Sequence, residues 1–367
     1  MKEIRLILVG GFLGAGKTSL LWEAAQAFIR SGLRVGMITN DQAPELVDTG
    51  FLARGGGQVA EVSGSCFCCN FGGLTDAVAE LRRNADVDIL IAEPVGSCTD
   101  LSATIIQPLK DKMKGEIRLS PLSVLVDATK LDEILQNSDT ALHPSAVYIL
   151  QKQMEEADII LVSKSDLVSP SELEGMKQRL KTQYPEKTVI GLSVKTGLGF
   201  QEWHTAVTTR TDSGRSIARI DYDVYAEGEA ILGWLNATVR LDGELTEWRS
   251  YAESLLTKLG QRFDSTDSPV GHVKLMLTSG EDFVMGNLTG KSDTLTMRGM
   301  EFISSSARLT LNARVQMPPQ TLDDIAREAL DRAGKDSVTW TSLAWECFSP
   351  GRPNPTHRYD YLVPSDE

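Results

Sequence analysis

The sequence has few cysteines, and their placement is uneven. Only five of the 367 residues are cysteine, and three of them, Cys66, Cys68 and Cys69, lie within four positions. An odd number of clustered thiols does not fit the disulfide frameworks of small secreted proteins. We therefore expect a cytoplasmic protein, in which this cluster is a metal site, a redox site or a chance arrangement.

Long apolar runs and runs of basic residues are absent from the sequence. No apolar run reaches the roughly 18 residues that a membrane-spanning helix needs. The short apolar run near the N-terminus leads into glycines rather than into a signal-peptide cleavage site. The formal charge is −13 at pH 7, and Lys and Arg are not clustered as in a nucleic-acid-binding surface. We expect neither a membrane nor a nucleic acid as a partner.

The N-terminal part of the chain alternates short apolar runs with amphipathic segments. The apolar runs IRLILVGG, RVGMIT, VDILIAE, LSVLVDA, ADIILVSK and TVIGLSV are predicted to be strands. Such uniformly apolar runs are typical of strands that are buried on both faces of a parallel sheet. The sequence therefore predicts an α/β domain with a doubly wound, mostly parallel sheet, in which ligands bind beyond the carboxyl ends of the strands.

The first predicted strand ends in a glycine-rich loop, GGFLGAGKTSLL, which matches the pattern G-x4-G-K-S/T. In such a loop, backbone N–H groups bind phosphate oxygens, the lysine reaches the β- and γ-phosphates, and the hydroxyl binds Mg²⁺. The N-terminus of the following helix adds a favourable dipole for anions. The sequence therefore predicts a P-loop NTPase with nucleotide contacts from Gly11, Gly14, Ala15, Gly16, Lys17, Thr18 and Ser19.

Two further strand ends carry acidic residues. Glu93 ends the run VDILIAE, where a carboxylate can hold Mg²⁺, and the N–H group of Gly96 can meet the γ-phosphate. Asp41 follows the second strand and can orient water, unless it is only a turn-forming residue after Asn40. We predict Lys17, Asp41 and Glu93 as catalytic residues, and Thr18, Glu93 and Asp41 as the magnesium site.

Two later segments bear on the choice of base. Asp166, in ILVSKSD, can accept hydrogen bonds from N1 and N2 of guanine, which adenine does not offer. The stem of Lys164 can pack over the purine ring. In GLSVKTG, backbone donors to O6 are predicted from Ser193, Val194 and Lys195. Together these segments favour a guanine nucleotide and disfavour an ATP-dependent kinase.

In combination, these motifs resemble a known family. The phosphate loop, the EPVG strand end, SKSD and above all CFCC are similar to the CobW-type branch of P-loop GTPases, which is related to UreG and HypB. The resemblance covers roughly residues 1–212 and implies a GTP-hydrolysing metallochaperone whose C-x-C-C motif binds metal. The sequence departs from the family in three ways: Ser163 stands where many GTPases have Asn, Ser65 separates Gly64 from Cys66, and a His-rich loop is absent.

The cysteine motif SGSCFCCNFGG combines turn-forming residues with the start of a predicted helix. Since successive residues of an extended strand point to opposite faces, a turn is needed to bring three thiols together. Three thiolates leave one position open in a tetrahedral Zn²⁺ or Co²⁺ shell, which suits delivery. Three interpretations of the motif stay open: a metal site, a redox pair of Cys66 and Cys69, or structural thiols. Cys98 is either a fourth ligand of the metal site or only a small buried residue.

The predicted function combines both sites. A slow GTPase with Mg²⁺ would bind zinc or cobalt at Cys66, Cys68 and Cys69 and deliver it to a client metalloprotein or a cobalamin-related enzyme. Because the motif lies between Asp41 and Glu93, GTP is expected to order this segment and hydrolysis to loosen it. The alternative is a GTP-dependent switch that activates a partner enzyme, with redox or structural cysteines. Whether the chain forms a homodimer stays open.

The apolar periodicity lapses around residues 208–219, and polar and small residues take over. The predicted boundaries are 1–212 for the GTPase domain, 213–220 for a linker, 221–350 for a second domain and 351–367 for an extended tail. The second domain has the predicted element order β-α-β-β-α-β with one extra strand, which favours a smaller, ferredoxin-like α+β domain. Since no catalytic constellation is predicted there, we expect this domain to recognise a partner.

Overall fold

A computed structural model describes residues 3–41, 46–54, 56–136, 143–290, 295–334 and 337–364 of the chain. The chain forms two compact units, and both are discontinuous in sequence. The first comprises Met1–Gln42, Leu52–Gly228 and Arg352–Glu367, and the second comprises Ala43–Phe51 and Glu229–Gly351. The chain therefore passes between the units four times.

The first unit is built on a parallel sheet. Its strands are β1 (Ile4–Gly11), β2 (Val35–Asn40), β3 (Gln58–Val62), β4 (Ile89–Glu93), β5 (Ile117–Leu119), β6 (Ser123–Asp127), β7 (Ile159–Ser163) and β8 (Thr188–Gly191). Seven of them lie in the order β3-β2-β4-β1-β6-β7-β8, and the short β5 pairs with the start of β1. All pairs are parallel, so the predicted doubly wound sheet is confirmed. The edge strand β3 and the three-residue β5 are not among the predicted strands.

Helices connect the strands of this sheet. They are α1 (Lys17–Arg30), α2 (Val47–Ala53), α3 (Phe71–Ala85), α4 (Gln107–Lys112), α5 (Ala128–Gln136), α6 (Pro144–Glu156), α7 (Pro170–Gln183), α8 (Phe200–Thr209) and α9 (Tyr222–Ala230). Of these, most of α2 belongs to the second unit, and α8 and α9 follow the last strand of the sheet instead of connecting two strands. A π-type turn over Ser102–Ile106 leads into α4. In α1, Leu20, Leu21, Ala24 and Phe28 recur at helical spacing and are fully buried. No helix in the described part of the chain is long and apolar enough to cross a membrane.

The second unit contains an antiparallel sheet. Its strands are β9 (Leu232–Glu247), β10 (Val270–Ser279), β11 (Asp282–Leu288), β12 (Leu295–Gly299), β13 (Ile303–Gln316) and β14 (Val338–Phe348), with helices α10 (Trp248–Ser265) and α11 (Pro319–Ala333). The strand order is β12-β11-β10-β13-β9-β14. Without the β11–β12 hairpin, the elements follow the β-α-β-β-α-β order, so the predicted smaller α+β domain is confirmed. The strand β12 is not among the predicted elements.

One face of this sheet is covered by apolar side chains of α10 and α11. Leu255, Leu256 and Leu259 of α10 are at most 1% exposed. The indole of Trp248, the first residue of α10, donates a hydrogen bond to the Ser304 hydroxyl at 2.8 Å. The amphipathic helices therefore contribute to a core, as their sequence pattern predicts.

Candidate nucleotide and metal sites

The P-loop joins β1 to α1, and its glycines have backbone conformations that other residues rarely adopt. The φ angles of Gly14 and Gly16 are 77° and 95°. A Cβ atom on Gly11, whose φ is 126°, would lie 2.5 Å from the Leu125 carbonyl oxygen on β6. Since α1 begins at Lys17, the positive end of its helix dipole lies at this loop and favours an anion there.

Four predicted residues meet where β1 and β4 end. Lys17 is 6% exposed, its Nζ donates to the Phe12 carbonyl at 3.3 Å, and it lies 3.8 Å from Glu93 Oε1. The Thr18 hydroxyl donates to Glu93 Oε2 at 3.4 Å. A Cβ atom on Gly96 would lie 2.9 Å from the Lys17 Nζ, so the backbone at this glycine closely approaches the ammonium. A hydroxyl beside a carboxylate is the oxygen donor set that Mg²⁺ takes in nucleotide sites, and these residues fit that ion.

Asp41 lies at the same edge of the sheet. It follows β2, in which Thr39 is in register with Glu93 of β4. Asp41 is 8% exposed, and its backbone N–H donates to the Val62 carbonyl at 3.2 Å. The fold therefore places this buried acidic residue just beyond the strand that neighbours the Glu93 strand. Its role in orienting water stays a prediction.

The residues predicted to bind the base lie beyond β7 and β8. The Ser193 hydroxyl donates to Asp166 Oδ1 at 2.7 Å. Ser193 also accepts from the backbone N–H of Thr196 at 3.2 Å, which forms the turn that contains Val194 and Lys195. Asp166 is exposed, so its second carboxylate oxygen can meet a ligand from solvent. The structure thus brings the two predicted base segments into direct contact.

Asp127, the last residue of β6, belongs to the same region and was not predicted. Its Oδ2 accepts from Lys164 Nζ at 2.7 Å. Lys164 itself has a left-handed φ of 55°. Burial raises the pKa of Asp127, but the Lys164 ammonium and hydrogen bonds from Thr129 outweigh burial and lower it. The only sequence signal for Asp127 is an acidic residue at the end of a buried strand, the same signal that Glu93 gives.

The three predicted metal-binding cysteines form a compact group. Their Sγ atoms all lie within 4.8 Å of one another. The distance from Cys66 Sγ to Cys68 Sγ is 2.8 Å, and that from Cys68 Sγ to Cys69 Sγ is 3.8 Å. The chain turns here, because the backbone N–H groups of Cys69 and Asn70 both donate to the Cys66 carbonyl. This turn brings three neighbouring side chains to one point, which an extended strand cannot do.

The thiols of this group perturb one another electrostatically. Hydrogen bonds from Cys68, Cys69 and Cys98 hold the pKa of the Cys66 thiol well below its ordinary value. Donation to Cys66 raises the pKa of Cys69 to about 11. Cys66 is therefore the first thiol to lose its proton, and a metal ion that binds here must displace protons from the others.

Asn40 holds the cysteine turn against the end of β2. Its Nδ2 donates to the carbonyl oxygens of Val62 and Ser65 at 2.8 and 2.9 Å. Its Oδ1 accepts from the backbone N–H of Phe67 at 2.8 Å. Asn40 immediately precedes Asp41. Two consecutive residues therefore lie at the cysteine turn and at the predicted phosphate-sensing edge, which is the end of the sheet that carries Asp41 and Glu93. The sequence analysis assigned no role to Asn40.

The C-terminal segment covers the cysteine turn within the first unit. The backbone N–H of Asn354 donates to Cys69 Sγ at 3.2 Å. The backbone N–H of Thr356 donates to the Cys68 carbonyl at 2.8 Å, and the Thr356 hydroxyl donates to the Cys69 carbonyl at 2.9 Å. The His357 ring meets the Phe71 ring edge-on at 5.1 Å. An extended tail was predicted for this region, but no feature of the sequence indicated its contacts.

Comparisons with known proteins give consistent matches. The model of the CobW/HypB/UreG nucleotide-binding domain matches residues 5–191, just over half of the chain. The zinc-regulated GTPase metalloprotein activator 1 of Schizosaccharomyces pombe is 27% identical over 192 residues, which are 49% of this chain and 43% of that protein. The zinc chaperone YjiA of Escherichia coli is 27% identical over 246 residues, 61% of this chain and 74% of that protein.

Solved structures add a weaker likeness. HypB from Helicobacter pylori in complex with nickel is 16% identical and has a TM-score of 0.42, over 59% of this chain and 91% of its own. The match to the domain model spans the predicted site residues from Gly11 to Asp166 and ends before Ser193.

Proposed function

The chain belongs to the CobW/HypB/UreG family, as the sequence predicts, and we propose that it is a GTP-hydrolysing metallochaperone. It binds Zn²⁺ or Co²⁺ at Cys66, Cys68 and Cys69 and delivers the ion to a client metalloprotein or a cobalamin-related enzyme under the control of the nucleotide. One observation carries this proposal. Three thiols within 4.8 Å lie on a turn that Asn40 fixes beside the predicted phosphate-sensing edge. The names of the relatives, a zinc chaperone and a zinc-regulated GTPase activator, support it.

The residues of the nucleotide site have separate roles in GTP hydrolysis. The P-loop amides and Lys17 bind the phosphates and stabilise the negative charge that develops on them. Thr18 and Glu93 would hold Mg²⁺, which neutralises phosphate charge when it is bound. Asp41 orients the attacking water, and Asp166 selects guanine. We expect slow intrinsic turnover, because no arginine finger is evident from the sequence.

The cysteine site binds the ion as cargo. Thiolate sulfur is the ligand that thiophilic divalent ions such as Zn²⁺ prefer, at about 2.3 Å. Cys66 and Cys68 are buried, while the half-buried Cys69 lies nearer the surface. A site that is accessible on one side can pass its ion to another protein by ligand exchange.

The metal content of untagged protein tests the metallochaperone proposal. We expect stoichiometric zinc or cobalt by elemental analysis. We expect its loss when Cys66, Cys68 and Cys69 are all replaced by serine. Cys347→Ser is the matched control, because that thiol lies in the second unit and donates to the Pro319 carbonyl. Wild-type protein without metal would contradict the proposal and favour the GTP-dependent switch with redox or structural cysteines.

The nucleotide assignment has its own test. Lys17→Ala removes the ammonium that reaches the phosphates, so we expect binding of labelled GTP to be abolished while ATP fails to compete with GTP in the wild type. Retention of tight GTP binding by the variant would contradict the P-loop assignment. Effective competition by ATP would contradict the role of Asp166.

A further inference from the structure

A fourth cysteine reaches the thiol group from a different part of the chain. Cys98 is 1% exposed, and its thiol is hydrogen-bonded to the thiols of both Cys66 and Cys68. These contacts are not those of a small residue buried among hydrocarbon side chains. They bring a fourth soft ligand atom to the two fully buried members of the group.

The backbone around Cys98 is fixed to the nucleotide site. Cys98 is two residues after Gly96, whose backbone approaches the Lys17 ammonium. The Cys98 N–H donates to the Val95 carbonyl at 2.9 Å and closes a tight turn. Gln153 of α6 donates to the carbonyl oxygens of both Gly96 and Cys98, at 3.1 and 2.7 Å. The two ends of this turn therefore move together.

The spacing of the Cys66, Cys68 and Cys69 sulfurs is compatible with a common ion, whereas Cys98 Sγ lies more than 4.8 Å from at least one of them and must approach when it binds. Metal–sulfur bonds of about 2.3 Å at tetrahedral angles place neighbouring sulfurs about 3.8 Å apart. The 3.8 Å between Cys68 Sγ and Cys69 Sγ already has this value. The 2.8 Å between Cys66 Sγ and Cys68 Sγ is a thiol hydrogen bond, which must open by about 1 Å when both sulfurs bind an ion.

We propose that Cys98 supplies the fourth thiolate to a divalent ion held by Cys66, Cys68 and Cys69. This inference rests on the proposed metal-binding function and deepens it. Each thiol that coordinates the ion gives its proton to solvent, so four thiolates around one divalent ion carry a net charge of −2. A buried charge of this size is costly, and loss of the Cys98 ligand would lower it. Gly96 is predicted to meet the γ-phosphate, and Cys98 is the proposed fourth ligand. A change in the turn between them on GTP hydrolysis would therefore change the number of sulfur ligands of the ion.

X-ray absorption at the metal edge and Co²⁺ titration of the full-length protein test this inference. We expect four sulfur ligands in the wild type and three in Cys98→Ser. The sulfur-to-cobalt charge-transfer absorption per bound ion should fall by about a quarter, because one of four metal–sulfur bonds is lost. The affinity for Co²⁺ should fall at least about tenfold. Cys347→Ser should change neither quantity. Cys98→Ala repeats the measurement without an oxygen that could replace the sulfur.

The outcomes separate this inference from the proposed function. Three sulfurs in both the wild type and Cys98→Ser, with unchanged affinity, would overturn the role of Cys98 and leave the three-cysteine site in place. Wild-type protein that binds neither Co²⁺ nor Zn²⁺ would overturn the metallochaperone proposal itself. Retained GTP affinity in Cys98→Ser shows that the variant is folded, so that a lost sulfur reports the ligand rather than a misfolded chain.

Discussion

Asn40 uses both amide donors and its carbonyl oxygen to hold the cysteine turn. Asn40→Asp keeps the size of the side chain but directs a carboxylate oxygen at the carbonyl oxygens of Val62 and Ser65. We expect the free energy of unfolding to fall by about 1–3 kcal/mol, the usual effect of leaving buried polar groups without a partner. We also expect weaker Co²⁺ binding, because the three thiols lose their common anchor. Urea unfolding and Co²⁺ titration measure the two effects.

The control for Asn40 is an exposed hydroxyl elsewhere in the first unit. Ser31 donates only to carbonyl oxygens of its own helix, so Ser31→Ala should leave the metal affinity unchanged. If Asn40→Asp bound Co²⁺ as tightly as the wild type, Asn40 would not position the cysteines.

The residues that the sequence identified and those that it missed differ in a physical way. Lys17, Thr18 and Glu93 lie in motifs whose geometry is set by a few neighbouring residues, and the structure brings them together. The contacts of Asn40 depend on the pairing of β2 with β3, an edge strand with too few apolar residues to be predicted. The contact of Asp127 with Lys164 depends on a left-handed backbone at Lys164, which a non-glycine residue rarely adopts.

At the scale of elements, α6 fixes the loop that follows β4. Its last residue, Glu156, is fully buried and accepts from the Thr99 hydroxyl and the Ser102 backbone N–H, both at 3.0 Å. Burial raises the pKa of Glu156 to about 8. The folded protein therefore holds a proton here that the unfolded chain releases near its ordinary value of 4.5. This group stabilises the fold at low pH, and its contribution is lost as the pH rises towards 8.

Glu156→Gln should remove this pH dependence, since a neutral amide neither gains nor loses a proton. We expect the free energy of unfolding of the wild type, relative to the variant, to fall between pH 5 and pH 8. The slope is at most about 1.4 kcal/mol per pH unit for one proton. Urea unfolding at several pH values measures it. Glu155→Gln, one residue earlier and half-buried, is the matched control. Parallel curves for the wild type and Glu156→Gln would refute the buried-proton explanation.

Strands could be predicted where a continuous apolar run is buried, and not where exposed and half-buried residues are mixed. The six apolar runs of the first half became β1, β2, β4, β6, β7 and β8 because each is buried on both faces of one sheet. The π-type turn at Ser102–Ile106 has no distinct sequence pattern, and its residues are buried all round. The edge strand β12 alternates between exposed and half-buried residues, so it lacks an apolar run.

At the scale of the whole molecule, the order of the chain does not match the order of the compact units. The stretch Ala43–Phe51 lies in the second unit although it directly follows the nucleotide strand end. Within that unit, the Val47 N–H donates to Asn312 Oδ1 at 2.8 Å, and Lys274 pairs with Asp48 at 2.6 Å. The stretch Arg352–Glu367 lies in the first unit although it follows the second. Local periodicity cannot reveal such exchanges, because they depend on contacts between residues more than 200 positions apart.

The C-terminal stretch gives the last prediction, because it is part of the first unit without being contiguous with it. A chain that ends at Gly351 loses the backbone donors to the cysteine turn and the Arg358 hydrogen bond to the buried Asp100 carboxylate at 2.8 Å. A hydrogen bond to a charged group contributes about 1.5–3 kcal/mol. We therefore expect a lower melting temperature and weaker Co²⁺ binding, and a peptide of residues 352–364 added in trans should restore both. The same peptide with Arg358→Ala should restore less, because Tyr222 alone then donates to Asp100. A shortened chain with unchanged melting temperature and Co²⁺ affinity would show that the tail rests on the cysteine turn without supporting it.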